Sequence, residues 1–464
     1  MVSAPSSTGH DYIAKSALPL FFDVNIGLVV DDVLDTSILR EKFTQLIRSS
    51  VELGGLMKNK TDTRQFTPGS TIDFESRNLE ADLKAFLPFS WAGRDKPTVL
   101  HDQILDTDNK FLFSTSTSSG PKPVSRLRAT ILNDASLLCF SFSHGLVDGQ
   151  SGYNIIRYFC DLLSNKPIPR FILPPDTVGS RMSDLIQVPK TDEPEPTLQS
   201  PQTHGVFVST RLGKVRAFAK LILEMARQSF GFSESLTPRL VHIPRTWIDE
   251  VRARAQKELE SDEVQLTRND IIAALYLKTL YRANGGGSGP VDFTGPIDYR
   301  GFLEPREDDT YYPHNSIVFL HCPLSEHEVQ TESIAQVAKK IRLATTLFKH
   351  PAVVKRGVQF SEEKVVAPSL PQLRGGAKWS FPLVSPWTTF DYTGLDFSGA
   401  SSQGGSPSVV FVNPYISLRN GESLLSPILI TLKDGFGGYW LRGTNTTTGW
   451  EDFDRCTSIE ALFS

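Results

Sequence analysis

The sequence predicts an α/β protein of two domains, each a mixed β-sheet flanked by helices. Three observations predict it. At 464 residues the chain is longer than one hydrophobic core serves well, so two cores are expected. Strand-like and helix-like segments alternate in both halves. Between the halves, residues 189–205 (PKTDEPEPTLQSPQTHG) are proline-rich, polar and poor in apolar side chains, as an interdomain linker is. The expected division is therefore 1–188, the 189–205 linker and 206–464. No short internal repeat is visible.

Taken in order, Phe21 to Val30 reads as the first strand. A helix from about Ser37 to Val51 follows, with Asp35 or Thr36 as N-cap and Leu39, Phe43, Leu46 and Ile47 as its apolar stripe. Gly54-Gly55 closes it. From Arg126 to Phe142, two apolar runs flank Asn133-Asp134-Ala135-Ser136 and suggest a hairpin. Its second arm, Leu137 to Phe142, leads into Ser143-His144-Gly145-Leu146-Val147-Asp148-Gly149. Beyond that, Ile155, Ile156, Phe159, Leu162 and Leu163 fall at helical spacing.

After the linker, Leu240 to Ile243 reads as a strand and Thr246 to about Glu258 as a charged helix. Thr267-Arg268-Asn269-Asp270 is a capping box opening the helix Ile271 to Tyr281. Gly285 to Gly289 lacks the Lys-Ser/Thr that completes a phosphate loop, which leaves it a flexible connection. From residue 376 on, the pattern is mostly strand-like, with turns at Gly404-Gly405 and Asp434 to Gly438.

Composition narrows the function. With 39% apolar and 22% charged residues the chain has the balance of a soluble globular protein. The net charge of −4 offers no basic footprint, so no nucleic-acid partner is expected. No run approaches the roughly 18 apolar residues of a membrane span, and Met1 to His10 has no apolar signal region. Four cysteines (Cys139, Cys160, Cys322, Cys456) form no CxxC pair, which argues against a zinc or redox site. Cys139 and Cys160 lie in apolar segments and read as inert buried thiols. A reducing, cytoplasmic compartment is expected, where the sequons at Asn59 and Asn445 have no consequence.

His144 carries the chemistry. It stands where a strand passes into a helix, a junction that presents side chains to clefts. Such a histidine is either a satisfied core residue or a base. Asp148, four residues on, can fix an imidazole or hold the turn that presents it. A metal is not expected, because the pair supplies only two ligands; His321 and His327 look incidental. Gly149-Gln150-Ser151-Gly152 lacks the frame of a serine nucleophile elbow, so Ser151 reads as a first-turn helix residue. Without an activated serine or cysteine, the fitting chemistry is direct attack. His144 would take a proton from an alcohol or amine, which attacks an acyl carbonyl held beside it.

The His144-x3-Asp148-Gly149 segment resembles that of the BAHD acyltransferases, which use acyl-CoA and share the chloramphenicol acetyltransferase-like fold. Other segments are similar too. Ile297-Asp298-Tyr299-Arg300 is similar to the family's Asp-x-Arg strand, and Tyr311-Tyr312-Pro313-His314-Asn315 to its aromatic-x-x-Asn turn. Leu266-Thr267 matches the opening of its second-domain helix, and Pro427 to Trp440 its closing strands. Trp387 and Asp396-Phe397-Ser398-Gly399-Ala400 correspond to its Trp and Asp-Phe-Gly-Trp-Gly loop, of which Asp396 and Phe397 survive.

The resemblance implies an active-site channel between the two domains, with part of 376–400 crossing back to the first. It implies His144 as general base, with Asp148 turned away and paired with Arg300. Gly149 would allow the backbone turn, and Asp396 would support the site at a distance. Ser385, Trp387 and Thr388 are the candidates for oxyanion or acceptor contacts. CoA phosphate suggests Arg268 and Thr267 at a helix N-terminus, with Lys214, Arg216 and Lys220 as a second choice. The protein would be a cytoplasmic monomer without a resident cofactor. Acyl-CoA would be its co-substrate, and a small alcohol or amine, of secondary-metabolite type, its acceptor. Two other functions share the fold. A condensation-type enzyme would draw on a carrier protein, but those domains carry histidine where this chain has Ser143. A non-catalytic binding relative is opposed by the intact His144, Asp148 and Arg300.

Overall fold

A computed structural model describes residues 22–59, 64–85, 95–100, 122–172, 181–189, 236–260, 263–283, 291–304, 309–363, 383–418, 428–455 and 462–463. The linker expected at 189–205, beyond Pro189, lies outside the described residues. So do Lys214, Arg216, Lys220, Gly285 to Gly289 and Cys456.

The strands of the two main sheets are β1 (Phe22–Val30), β2 (Phe74–Asn78), β3 (Thr98–Leu100), β4 (Ser125–Ile131), β5 (Ser136–Ser143) and β6 (Leu236–Ile243). They continue with β7 (Val291–Asp298), β8 (Ile317–Leu324), β9 (Leu383–Pro386), β10 (Val409–Leu418), β11 (Ile428–Lys433) and β12 (Tyr439–Thr446). The helices are α1 (Thr36–Arg48), α2 (Gly149–Leu163), α3 (Arg245–Glu258) and α4 (Arg268–Ala283). After them come α5 (Glu326–Thr331), α6 (Ile334–Phe348), α7 (Pro351–Glu363) and α8 (Thr447–Arg455).

The first sheet has the order β10-β1-β5-β4-β2, and the second β8-β7-β9-β11-β12-β6-β3. Both are mixed: β2 lies parallel to β4, and β9 parallel to β7 and β11, while the other pairs are antiparallel. Alternation along the first sheet sends Val24, Ile26, Leu28, Phe140 and Phe142 into a core completed by α1 and α2. On α1 the apolar stripe Leu39, Phe43, Leu46 and Ile47 is buried, and Asp35 caps the helix by accepting from Ser37 N and Ile38 N. That helix ends at Arg48, with Ser49 as C-cap, earlier than Gly54-Gly55 suggested. A second core gathers α3, α4 and α6 on the other sheet.

The sheets do not divide along the sequence. β10, from the C-terminal half, pairs with β1 over Phe22 to Val30, and β3, from the N-terminal half, pairs with β6. Trp387 to Ala400 packs in the first core through Trp387, Phe390, Tyr392, Leu395, Phe397 and Ala400, whereas Val384 belongs to the second. The chain therefore passes between cores at Pro386-Trp387.

Candidate active site

β5 and α2 build the junction. Ser143 ends the strand, its N–H donating to Val124 O at 2.8 Å, and the next amide, His144 N, donates to Phe22 O at 2.9 Å. Leu146 N and Val147 N both return to Ser143 O, which folds the backbone into a tight turn before the helix. Asp148 is the N-cap of α2: its Oδ1 accepts from Ser151 N at 2.9 Å. A negative side chain at this end also suits the helix dipole.

The other Asp148 oxygen faces the second half of the chain. Oδ2 accepts from Arg300 Nη2 at 2.9 Å and from Ser316 N at 2.9 Å, and the carboxylate is 2% exposed. Burial by itself would raise the Asp148 pKa; the Arg300 charge and the two backbone donors outweigh it and hold the carboxyl below its usual range. Arg300 has each guanidinium nitrogen engaged. It also donates to Ser151 Oγ at 2.6 Å, to Asp298 Oδ1 at 3.0 Å, to Tyr312 O at 3.3 Å and to His314 O. Ser151 is thus both a first-turn helix residue and part of this network, with Tyr311 Oη donating to it at 3.2 Å.

His144 keeps some solvent access, yet protein surrounds its ring closely enough that burial lowers its pKa. The Asp148 charge pulls the other way and does not prevail. Nδ1 is buried and makes no hydrogen bond of good geometry, with the His144 and Val147 carbonyls in electrostatic reach. Asn315 holds the loop from outside. Its Nδ2 donates to His144 O at 2.7 Å, and its N–H to Leu146 O at 2.9 Å. The aromatic-x-x-Asn spacing marked this turn, but nothing in it told that the asparagine would clamp the histidine's own backbone.

Trp387 lies across the start of α2. A Cβ on Gly149 would meet the indole at 2.7 Å, and Gly149 is not among the glycines at positive φ. Glycine is needed here for the ring's close approach, and not for the backbone turn expected of it. Trp387 Nε1 donates to Ser385 Oγ at 3.1 Å, which leaves the Ser385 proton as a donor. Thr388 Oγ1 accepts from Asn269 Nδ2 at 3.0 Å. Ser385, Trp387 and Thr388 therefore cluster beside the His144 turn at the crossing between cores.

Two expected contacts stand differently. Arg268 is already paired with Asp249 through Nε at 2.6 Å and Nη2 at 2.9 Å, and this bidentate partner raises its pKa further. Thr267 Oγ1 donates to Asp270 at 2.7 Å and accepts from Arg342 at 2.6 Å. Nη1 of Arg268 takes no part in the pair with Asp249, and the arginine side chain is 33% exposed. The pairing of residues 249 and 268 comes from helix packing, which their separate segments do not reveal. Asp396 is remote: it caps the turn Ser398–Ala400 through Ser398 N at 2.9 Å and accepts from Ser164 at the far end of α2. Fifteen residues of helix put that end about 22 Å from Asp148. Cys139, Cys160 and Cys322 are buried and in no disulfide among the described residues, and burial raises the thiol pKa of Cys160 and Cys322, the latter to about 12.

No protein-family model matches the chain. It is 36% identical to acetyltransferase peniE of Penicillium patulum, over 98% of this chain and 99% of that protein. The chain belongs to the BAHD acyl-CoA-dependent acyltransferases. Solved structures agree on the fold of this acyltransferase. F. sporotrichioides TRI101, crystallised with coenzyme A and T-2, superposes with a TM-score of 0.68 at 15% identity, over 95% of each chain. Vinorine synthase gives 0.59 at 11% identity, over 97% of this chain and 92% of its own. The architecture is the two-domain, mixed α/β, chloramphenicol acetyltransferase-like one. Among the described residues, no helix is long and apolar enough to cross a membrane, and no cluster of His, Cys, Asp and Glu is placed to hold a metal.

Proposed function

We propose that His144 is the general base of a direct acyl transfer from acyl-CoA to the hydroxyl, or amine, of a small acceptor. The supporting observation is geometric: the carboxylate four residues on is committed to Arg300, and burial lowers the pKa of the imidazole it leaves. A base must be neutral to accept a proton, and a carboxylate facing the ring would favour the charged form. His144 takes the acceptor's proton as its oxygen attacks the thioester carbonyl. The tetrahedral intermediate then expels the CoA thiolate, and the imidazolium returns the proton to sulfur. The Ser385 and Thr388 hydroxyls, on either side of the tryptophan that lies on Gly149, are the proposed donors for the developing oxyanion. Asp148 and Arg300 do not touch the reacting atoms in this scheme. They fix the turn that aims His144, and Asn315 fixes it from the other side.

The Penicillium relative's name makes acetyl the first acyl group to test, and the T-2 held by TRI101 points to secondary-metabolite acceptors. Arg268 and Thr267, at the start of α4, remain the proposed contacts for CoA phosphate, with Asp249 holding Nε and Nη2 of the arginine. The proposed domains are 1–188 without β3, joined by 387–418, and 206–386 with 428–464 and β3. The same reading takes the protein as a cytoplasmic monomer without a resident cofactor or a nucleic-acid partner. The test is incubation with acetyl-CoA and longer acyl-CoAs against a panel of alcohols and amines, following free thiol and product mass. Acceptor-dependent thiol release that His144→Ala abolishes is expected; release indifferent to that substitution overturns the base assignment.

A further inference from the structure

We propose that Asn269 binds an amide of the pantetheine arm of the donor, an inference that rests on the acyl-CoA reading above. Asn269 stands in the first turn of α4, a helix of the second core. Its Nδ2 donates to Thr388 Oγ1, and Thr388, 7% exposed, follows the tryptophan that lies on Gly149. The hydrogen bond therefore crosses from the second core to the first, beside the turn that carries His144.

Its other amide atom is left over. Asn269 Oδ1 is buried and has no hydrogen-bond partner among the described residues. A buried carbonyl without a donor is costly, and native proteins seldom leave one so without a reason. Turning the amide over does not resolve it. Oδ1 could then accept the Thr388 proton, but Nδ2 would become the orphan. The charged neighbours are engaged elsewhere: Arg268 with Asp249, and Arg342 with Thr267 and Asp270. Among the described residues none supplies the missing donor.

The chemistry of the donor supplies one. In acyl-CoA an amide N–H lies two methylenes beyond the thioester sulfur, and a donor whose thioester is brought to His144 must find that N–H an acceptor. A neutral carbonyl is the fitting partner for a neutral N–H. The acceptor's reacting hydrogen is already committed to His144, so the acceptor has less need of Asn269. Asn269 is thus a binding residue for the donor and takes no part in proton transfer.

The test compares two acetyl donors on purified protein: acetyl-CoA, and S-propyl thioacetate, which has the thioester but no amide. Asn269→Leu is expected to raise KM for acetyl-CoA about tenfold, the scale of one net hydrogen bond, with kcat within about twofold. Its kcat/KM for S-propyl thioacetate should fall only as far as the lost bond to Thr388 takes it, well short of the loss on acetyl-CoA. If Asn269→Leu does not fold, Asn269→Ser, smaller and still polar, is carried through the same pair of donors with the same expected contrast. Equal losses on the two donors, or a rise confined to the acceptor's KM, would overturn the assignment. A wild-type protein that turns over neither donor overturns the acyl-transfer reading and this assignment together, which separates the two kinds of failure.

Discussion

The two ends of α2 carry the two segments by which the chain is most recognisable, and they are held by different forces. At the N-terminal end, Asp148 caps the helix, receives Arg300 and lets the preceding turn aim His144. Electrostatics and hydrogen bonds set that end. At the C-terminal end, Phe397 is fully buried and Gly399 packs so closely that a Cβ would lie 2.0 Å from Leu163 O. Shape sets that end. The difference explains how the loop tolerates Ser398-Gly399-Ala400 where its family has Gly-Trp-Gly: the cap of Asp396, the buried Phe397 and the close approach at 399 are what the fold uses.

Substitutions should separate the ends. The largest effect on turnover is expected from His144→Ala, a loss of 10² to 10⁴, about the worth of a general base, with the thermal midpoint preserved. Steady-state rates beside a melting curve check it. Asp148→Ala should remove activity and up to about 3–5 kcal/mol of stability, because it strips the buried Arg300 charge of the more deeply buried of its two carboxylate partners. Denaturant unfolding measures that loss, and an unchanged midpoint would contradict the network. Gly399→Ala should destabilise by about 1–3 kcal/mol through overpacking against backbone, while kcat per folded molecule stays at the wild-type value. Asp396→Ala, at an exposed cap, should cost under about 1 kcal/mol and leave KM and kcat alone.

What the sequence reveals follows the range of the interaction. The apolar stripe of α1, its Asp35 cap and the hairpin β4–β5 lie within a few residues and are legible from periodicity and turn chemistry. The capping box at Thr267 is equally local, and Thr267 N does donate to Asp270 at 2.7 Å. Asp148 with Arg300 spans 152 positions, and only the family resemblance could join them. The crossing of β10 to β1 escapes local pattern altogether, since a strand's alternation names its buried face and not its neighbour. The same limit hid the Asp249 partner of Arg268, the Trp387 ring over Gly149, and the paired roles of Asn269 and Asn315.

The central claim is that burial keeps His144 neutral while its neighbouring carboxylate is turned to Arg300. The pH dependence of kcat/KM reads the free enzyme's base directly. Lowering pH protonates the imidazole, so activity falls through its folded pKa. Since burial lowers that pKa, the acid limb should be centred below 6.5, the ordinary histidine value, and should disappear with His144→Ala. An acid limb centred above 6.5 would mean an imidazole stabilised as the cation by a facing carboxylate, and would contradict the account.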